Sequence, residues 1–218
     1  MSCASTSKRL TKRLNPDMPK KIVSQTEEDI GRLRRLLHEI SGPADPRPTG
    51  KSGGRILDLA CGECHEAVAL RDFLAEHRGL ETADVSLLGL DVRAREIANA
   101  ARRCREEGDF AFRVGDATKL DTHRELGDDF DLVFLRHQNY WNGERAWDEI
   151  FSRALGKLSD DGELIITSYF DREHELALAA IQRLGGELIR TEANHASRVL
   201  TTPGKSVDRH IARFRRRG

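Results

Sequence analysis

An acid, a glycine and two cysteines crowd one short run, Asp58-Leu59-Ala60-Cys61-Gly62-Glu63-Cys64, directly after the apolar pair Ile56-Leu57. The pattern predicts a strand that ends in a small-residue turn and then enters a helix. In an open α/β sheet, ligands sit where such a strand gives way to its helix. Gly62 lacks a side chain, which lets backbone N–H groups approach a ligand closely. A second acid, Asp91, closes the next apolar run, Leu87-Leu88-Gly89-Leu90. A carboxylate there could accept both hydroxyls of a ribose, so turn and acid together suit a nucleoside-containing cofactor.

Cys61 and Cys64 form a C-x-x-C pair, which also invites a zinc or redox reading. No second ligand pair with suitable spacing accompanies it in the sequence, so no metal is assigned. A thioredoxin-like pair would also sit at a helix start, but this chain is too long and wrongly patterned for that small fold. The two cysteines are read as small residues filling a turn.

A second concentration of chemistry lies at Arg136-His137-Gln138-Asn139-Tyr140-Trp141-Asn142, after a strand-like run at 130–135. The chain has two Tyr and two Trp, and this segment holds one of each. Asn139, Tyr140 and Trp141 could form an aromatic floor with hydrogen-bonding neighbours, suited to a planar or cationic substrate. An unperturbed imidazole titrates near neutrality, making His137 a candidate general base, or else a loop histidine bonded to backbone. Arg136 could fork onto a carboxylate or phosphate, or salt-bridge to a nearby acid. Tyr169 and Phe170 should stand at the same rim, and His195 and Arg198 lie near it.

The elements that must position these groups can be read along the chain. Residues 1–21 are polar and basic and read as a disordered tail. Ser24-Gln25-Thr26-Glu27 has the form of a capping box opening an amphipathic helix with Ile30, Leu33, Leu36, Leu37 and Ile40 on its apolar face. That helix and a Gly/Pro-rich linker make a 22–54 segment packing on a core of 55–218. The helix either covers the sheet or acts as a lid.

From Arg55 onward strands at about 55–60, 86–91, 109–114, 130–135 and 163–167 alternate with helices at about 65–77, 144–156 and 172–184. A further helix carries Ile97, Ala98, Ala101 and Cys104 on one face. Two final extended runs, 187–190 and 207–214, flank Pro203-Gly204 and could pair as a hairpin. Alternation of Val207, Arg209, Ile211 and Arg213 marks the last as a strand. The expected fold is α/β: a Rossmann-like doubly wound sheet of about seven strands, mostly parallel with a C-terminal antiparallel hairpin, plus the N-terminal helix.

The chain has 218 residues, a formal net charge of +0 and 33% charged residues, which describes a soluble domain without a global basic field. Basic residues cluster at both ends and read as solvated tails. No apolar run approaches the ~20 residues that span a bilayer, so no membrane is expected. With no secretory signal visible, a cytoplasmic location is expected.

The ordered motifs resemble the class I S-adenosylmethionine-dependent methyltransferase family over roughly residues 55–214. Leu57 to Cys64 is similar to the family's first motif, Asp91 to its ribose-binding acid, and Gly115-Asp116-Ala117 to its adenine-contacting segment. Phe130-Asp131-Leu132-Val133 resembles the fourth strand, and Leu158 to Thr167 the lead into the fifth. The resemblance implies S-adenosyl-L-methionine as cofactor, held by Asp58, Ala60, Cys61, Gly62, Cys64, Asp91, Val92, Asp116, Ala117 and Arg136. Asp58 would accept from the cofactor's ammonium, or tie down the turn. The acceptor would meet His137, Asn139, Tyr140, Trp141 and Tyr169, with His137 as the catalytic candidate.

Where the family's turn carries three glycines at alternate positions, this chain has Ala60, Gly62 and Cys64. Ala60 costs little in an ordinary backbone region, and Cys64 is tolerable only where φ > 0 is not required. A dinucleotide fingerprint fits less well, because His65 stands where the last glycine should permit helix–strand packing. The expected activity is methyl transfer, preferentially to a small molecule. The alternatives are an RNA methyltransferase and a non-catalytic cofactor-binding or scaffold member of the fold. No Asn-Pro-Pro-Tyr pattern follows the fourth strand, which argues against exocyclic amines of nucleic acids as acceptors.

Overall fold

The computed structural model describes residues 24–41, 53–123 and 126–218. The expected basic tail and most of the Gly/Pro linker lie outside the described residues. Chain order runs α1 (Gln25–Ser41), β1 (Gly54–Leu59), α2 (Ala67–Arg78), β2 (Val85–Asp91), α3 (Ala94–Arg103), β3 (Phe110–Val114), β4 (Phe130–Leu135) and α4 (Glu144–Gly156). It continues with β5 (Leu158–Ser168), α5 (Asp171–Arg183), β6 (Gly186–Ala193), β7 (Arg198–Val199), β8 (Ser206–Val207) and β9 (His210–Arg216).

The main sheet has seven strands in the order β3-β2-β1-β4-β5-β9-β6, and β7 and β8 form a separate ribbon. β1 to β5 are parallel, while β9 runs antiparallel between β5 and β6. Strand order reverses between β1 and β4, so their carboxyl ends diverge and open a crevice there. Asp58 and Arg136 stand at the two sides of this switch point.

Alternation along each strand sends residues to two cores. Leu57, Leu59, Val133, Leu135, Leu164 and Ile166 pack against α4 and α5, while Ile56, Leu87, Leu132, Phe134 and Ile165 face α1, α2 and α3. All six residues of β4 are buried; five are apolar, and the sixth, Asp131, accepts from Arg55 N–H (3.0 Å). In α1, Leu33, Leu36, Leu37 and Ile40 are fully covered, each worth roughly 1.5–3 kcal/mol of burial. The helix therefore covers the sheet. Its capping box forms as expected: Glu27 N–H donates to Ser24 Oγ (3.2 Å) and Ser24 N–H to Glu27 Oε2 (2.7 Å).

Several local expectations are corrected. In α3 the buried face is Ile97, Ala100 and Cys104, whereas Ala98 and Ala101 are exposed. Val207 belongs to the β7–β8 ribbon, and Pro203-Gly204 turns within that ribbon rather than between β6 and β9. β9 is covered on both faces, so Arg213, expected to belong to a solvated basic tail, is buried. Its guanidinium is buried against both oxygens of Glu163, each at 2.6 Å.

Candidate active site

The turn after β1 is wound through three left-handed residues: Ala60 (φ 54°), Gly62 (φ 56°) and Cys64 (φ 49°). The expectation that Ala60 and Cys64 keep ordinary backbone is thus wrong, and each carries roughly 1–2 kcal/mol of left-handed cost. Alternating handedness coils the chain tightly enough for Cys64 N–H to donate to Cys61 C=O (2.7 Å) before α2 begins. A side chain at Gly62 would also push Glu96 and Arg93 aside. A Cβ there would lie 2.8 Å from Glu96 Oε2 and 3.0 Å from Arg93 Nη2.

Asp91, at the end of β2, locks this turn by accepting from Gly62 N–H (2.8 Å). It also accepts from Arg93, through N–H (2.9 Å), Nε (3.0 Å) and Nη2 (3.1 Å). Burial opposes its ionisation, but Arg93 and the two amides outweigh that and hold its pKa below the ordinary value. Val92 beside it is exposed, an apolar surface at the same edge. Asp116 caps the 3-10 turn at 117–122, accepting from Thr118 N–H (2.9 Å) and Oγ1 (2.7 Å). Ala117 behind it is buried.

Asp58 is fully buried, and its Oδ2 accepts from Cys64 Sγ at 3.0 Å. Its Oδ1 has no hydrogen-bond partner. Burial and the neighbouring Glu66 carboxylate push its pKa well up. The cysteines follow the same field. The Cys64 thiol is raised by the hydrogen bond it shares with Cys61 and by burial. For Cys61, that hydrogen bond pulls downward, but burial and the nearby acids prevail. Ligating atoms of Asp58, Cys61 and Cys64 lie within 4.8 Å of one another, yet both thiols are held in the protonated form that suits a packed turn.

Of the two readings of Arg136, the salt bridge to nearby acids is the one formed, and its guanidinium does not reach outward for a ligand. Its Nε (3.0 Å) and Nη2 (2.6 Å) fork onto Asp208, and its Nη1 lies 3.3 Å from Glu66 Oε2. Three buried carboxylates, Asp58, Glu66 and Asp208, thus face one guanidinium at the switch point. This leaves an excess of negative charge, with an orphaned oxygen on Asp58.

His137 sits beside this network with φ 59°. Its N–H donates to Thr167 Oγ1 (3.1 Å), its ring stacks on Tyr169 at 3.9 Å, and its Nε2 lies 2.8 Å from Asp208 Oδ1. Asp208 itself is buried at φ 49° and also accepts from Thr167 Oγ1 (2.9 Å). Despite burial, Arg136 and His137 hold Asp208 far below the usual carboxylate range. Nδ1 of His137 has no protein partner among the described residues.

His137, Asn139, Trp141, Tyr169, Phe170 and Lys205 are among the residues lining a cavity of about 570 Å³. Tyr140 is not part of it. Its ring is buried against Phe151 (5.9 Å) and its hydroxyl donates to Asp148 (2.9 Å), because the 3-10 turn at 140–142 sends Tyr140 inward and Trp141 outward. His195 is exposed, and Arg198 pairs with Asp29 of α1 (3.0 and 2.5 Å) instead of entering the cavity. A second cavity, about 480 Å³, includes Leu120, Arg153 and Lys157 and none of the groups above.

Sequence reasoning missed Glu66, Gln138, Asp208 and Lys205. Gln138 is buried, donating to Ser168 Oγ (2.7 Å) and accepting from Tyr140 N–H (3.0 Å), which fixes the loop carrying His137.

The family model of a methyltransferase domain matches residues 50–211. The chain belongs to that methyltransferase family, an S-adenosylmethionine-dependent class. No curated protein sequence matches it significantly. Among solved structures, it is similar to a TehB-like SAM-dependent methyltransferase from Corynebacterium glutamicum (TM-score 0.55, 19% identity, 88% of this chain and 98% of that one). It is also similar to the N-methyltransferase NodS from Bradyrhizobium japonicum (TM-score 0.59, 14% identity, 88% and 98%). The [4+2]-cyclase SpnF shares the fold as well (TM-score 0.60, 18% identity, 88% and 83%), so fold likeness at this distance does not choose the reaction. No helix among the described residues is long and apolar enough to cross a membrane.

Proposed function

We propose that the protein transfers a methyl group from S-adenosylmethionine to a small molecule held in the cavity beside His137. When bound, the cofactor supplies an electrophilic methyl on a sulfonium. The residues of the β1 turn fit it on their own chemistry. The unpartnered Asp58 Oδ1, amid an excess of buried acid, suits the ammonium of a cationic ligand. Asp91 would take the ribose hydroxyls, with Arg93, more than half exposed, turning outward to free the carboxylate. Val92, Asp116 and Ala117 offer an apolar contact and polar edge for adenine. Ala60, Cys61, Gly62 and Cys64 shape the turn.

On the acceptor side, His137 is the proton-holding group. Its Nε2 lies 2.8 Å from Asp208 Oδ1 and 3.3 Å from the Asp208 backbone N. In the tautomer that donates Nε2–H to the carboxylate, Nδ1 is left to accept the proton that the acceptor gives up, and the Asp208 carboxylate then stabilises the imidazolium. The observation that carries this reading is the clamped His137 ring on the wall of a cavity of about 570 Å³, a volume typical of small-ligand sites. The basic C-terminus gives less support to RNA: Arg213 and Arg215 are spent on Glu163, and Arg216 on Asp160.

The test is a search for label transfer from methyl-tagged cofactor into metabolite extracts and into total RNA, alongside calorimetric cofactor binding. Label is expected in a small-molecule fraction, and Asp91→Ala should weaken cofactor binding by about 10- to 100-fold, the loss of charge-assisted hydrogen bonds. Label appearing in RNA alone would overturn the small-acceptor reading.

A further inference from the structure

One group in the cavity has no part in holding cofactor or proton. Lys205 stands on the turn between β7 and β8, and the structure fixes it there. Its N–H donates to Thr202 C=O (3.1 Å), its C=O accepts from Leu200 N–H (2.9 Å), and the next residue's N–H donates to Tyr169 C=O (3.1 Å). The ammonium lies 4.2 Å from the Tyr169 ring centroid and 6.0 Å from that of Phe170. It makes no ion pair with a carboxylate among the described residues. The acid that faces it across the cavity wall, Glu173, is buried and already accepts from Tyr169 N–H at 2.8 Å. Lys205 is therefore a half-buried cation positioned by aromatic faces; Glu173 feels its charge through the cavity wall but forms no salt bridge with it, so no carboxylate touches the ammonium among the described residues.

Beside it, Trp141 and Phe170 meet at 4.8 Å with their planes tilted by 51°, and Trp141 stays partly exposed. Together they make an apolar wall one ring wide. Aromatic faces of this kind can hold a ligand's ammonium. Here the protein's own ammonium already sits over Tyr169, at the edge of that wall, and a second cation would be repelled.

We infer that the methyl acceptor is a small planar acid, whose anionic group (carboxylate or phosphate) seats on Lys205 while its flat body lies against Trp141 and Phe170. This rests on the cavity being the acceptor site. A lysine suits either anion, because it acts as a point charge with three rotatable donors. Asn139 and Asn142, bonded to each other at 2.8 Å, offer further amide groups at the cavity mouth.

The test uses the full chain with three single-ring probes of different charge: benzoate, phenyl phosphate and benzylamine. Binding is read by calorimetry and by tryptophan fluorescence. At least one acid should bind about 10-fold or more tighter than benzylamine, in keeping with a charge-assisted contact. The tighter of the two acids identifies the anion. Lys205→Gln should erase that preference, Lys205→Arg should keep it, and cofactor affinity should stay unchanged in both variants. Equal or tighter binding of benzylamine, no binding of any probe, or an acid preference that survives Lys205→Gln overturns the proposal. Loss of the methyltransferase reading would look different, since wild-type protein would then bind no cofactor.

Discussion

The turn after β1 and the rim around His137 use one backbone device in two different ways. Each carries two non-glycine residues in the left-handed region, Ala60 and Cys64 in the turn, His137 and Asp208 in the rim. In the turn, those residues lie in one short run and curl the main chain so that its amides and Gly62 shape a cradle. In the rim they come from loops far apart in sequence, and the strained backbone brings two side chains to within 2.8 Å of each other. Strain of this kind persists only where surroundings over-determine it. The turn is over-determined by backbone hydrogen bonds and Asp91, the rim by a buried ion network. Breaking the rim should therefore cost chemistry and stability on a large scale, whereas changes within the turn should move binding and stability by small, separable amounts.

The largest effect is expected at His137. Asparagine tolerates the left-handed region better than most residues, so His137→Asn removes the imidazole with little new backbone cost. Turnover should fall by about 100- to 10,000-fold, the usual range for a lost general base. Cofactor affinity should not change. Steady-state kinetics with the identified acceptor would decide it, and a turnover within threefold of wild type would reduce His137 to a packing residue.

Asp208→Asn comes next. It leaves Arg136 buried with Glu66 as its remaining charged partner, a change of the kind that costs about 3–5 kcal/mol. At about 2–4 °C per kcal/mol for a chain of this size, the melting temperature should drop by roughly 6–20 °C. The sign with pH follows from the depressed folded pKa of Asp208. Its stabilisation is complete above the unfolded value near 4 and is lost as pH falls toward the folded one. The gap between wild type and variant should therefore be constant at neutral pH and close in strong acid. A gap that widened on acidification would contradict the network drawn here.

The same contrast explains what could be read from sequence. Strands, crossover helices and the order of motifs were legible because each is local: a largely apolar run at 130–135, a capping box at 24–27, a glycine after an acid at 58–62. The turn was legible for that reason, although its handedness was not, since Ala60 and Cys64 reveal φ only in three dimensions. The rim was not legible. Asp208 sits in a run whose alternation reads as solvent-facing acid and arginine, and nothing local announces a buried partner 72 residues away at Arg136. Arg213 misleads in the same way, because a strand covered on both faces buries a residue that its basic cluster made look like part of a solvated tail. Tyr140 and Trp141 are neighbours in sequence, yet a single 3-10 turn parts them into core and cavity.

Asp58→Asn sharpens the comparison from the turn's side. The carboxyl's folded pKa is raised, so between the unfolded and folded values the native state holds a proton that the unfolded chain has lost. Wild-type stability must then fall as pH rises through that window. The amide removes the titration, and at neutral pH it should stabilise the protein by about 1 kcal/mol, or about 2–4 °C. Cofactor affinity should move the other way, weakening about 10-fold or more as the acceptor for the ammonium is lost. Thermal melts from pH 5 to 8 with calorimetry separate the two effects. A variant that loses both stability and affinity would mean that Asp58 is structural alone.

The smallest effect lies at Cys64, and there the ranking of two substitutions is more telling than either alone. Cys64→Ala and Cys64→Gly both remove the buried thiol and its 3.0 Å hydrogen bond to Asp58. Alanine keeps the left-handed cost, while glycine releases roughly 1–2 kcal/mol of it. Glycine's greater freedom in the unfolded chain returns roughly 0.4–1 kcal/mol of that gain. The balance favours glycine by about 0.5–1 kcal/mol, the reverse of the order in a helix or strand. Urea midpoints of the two variants measure the difference directly. Glycine the more stable would place the strain in the turn's main chain, whereas alanine the more stable would show that Cys64 holds its conformation at no cost and that the contrast between turn and rim is one of distance in sequence only.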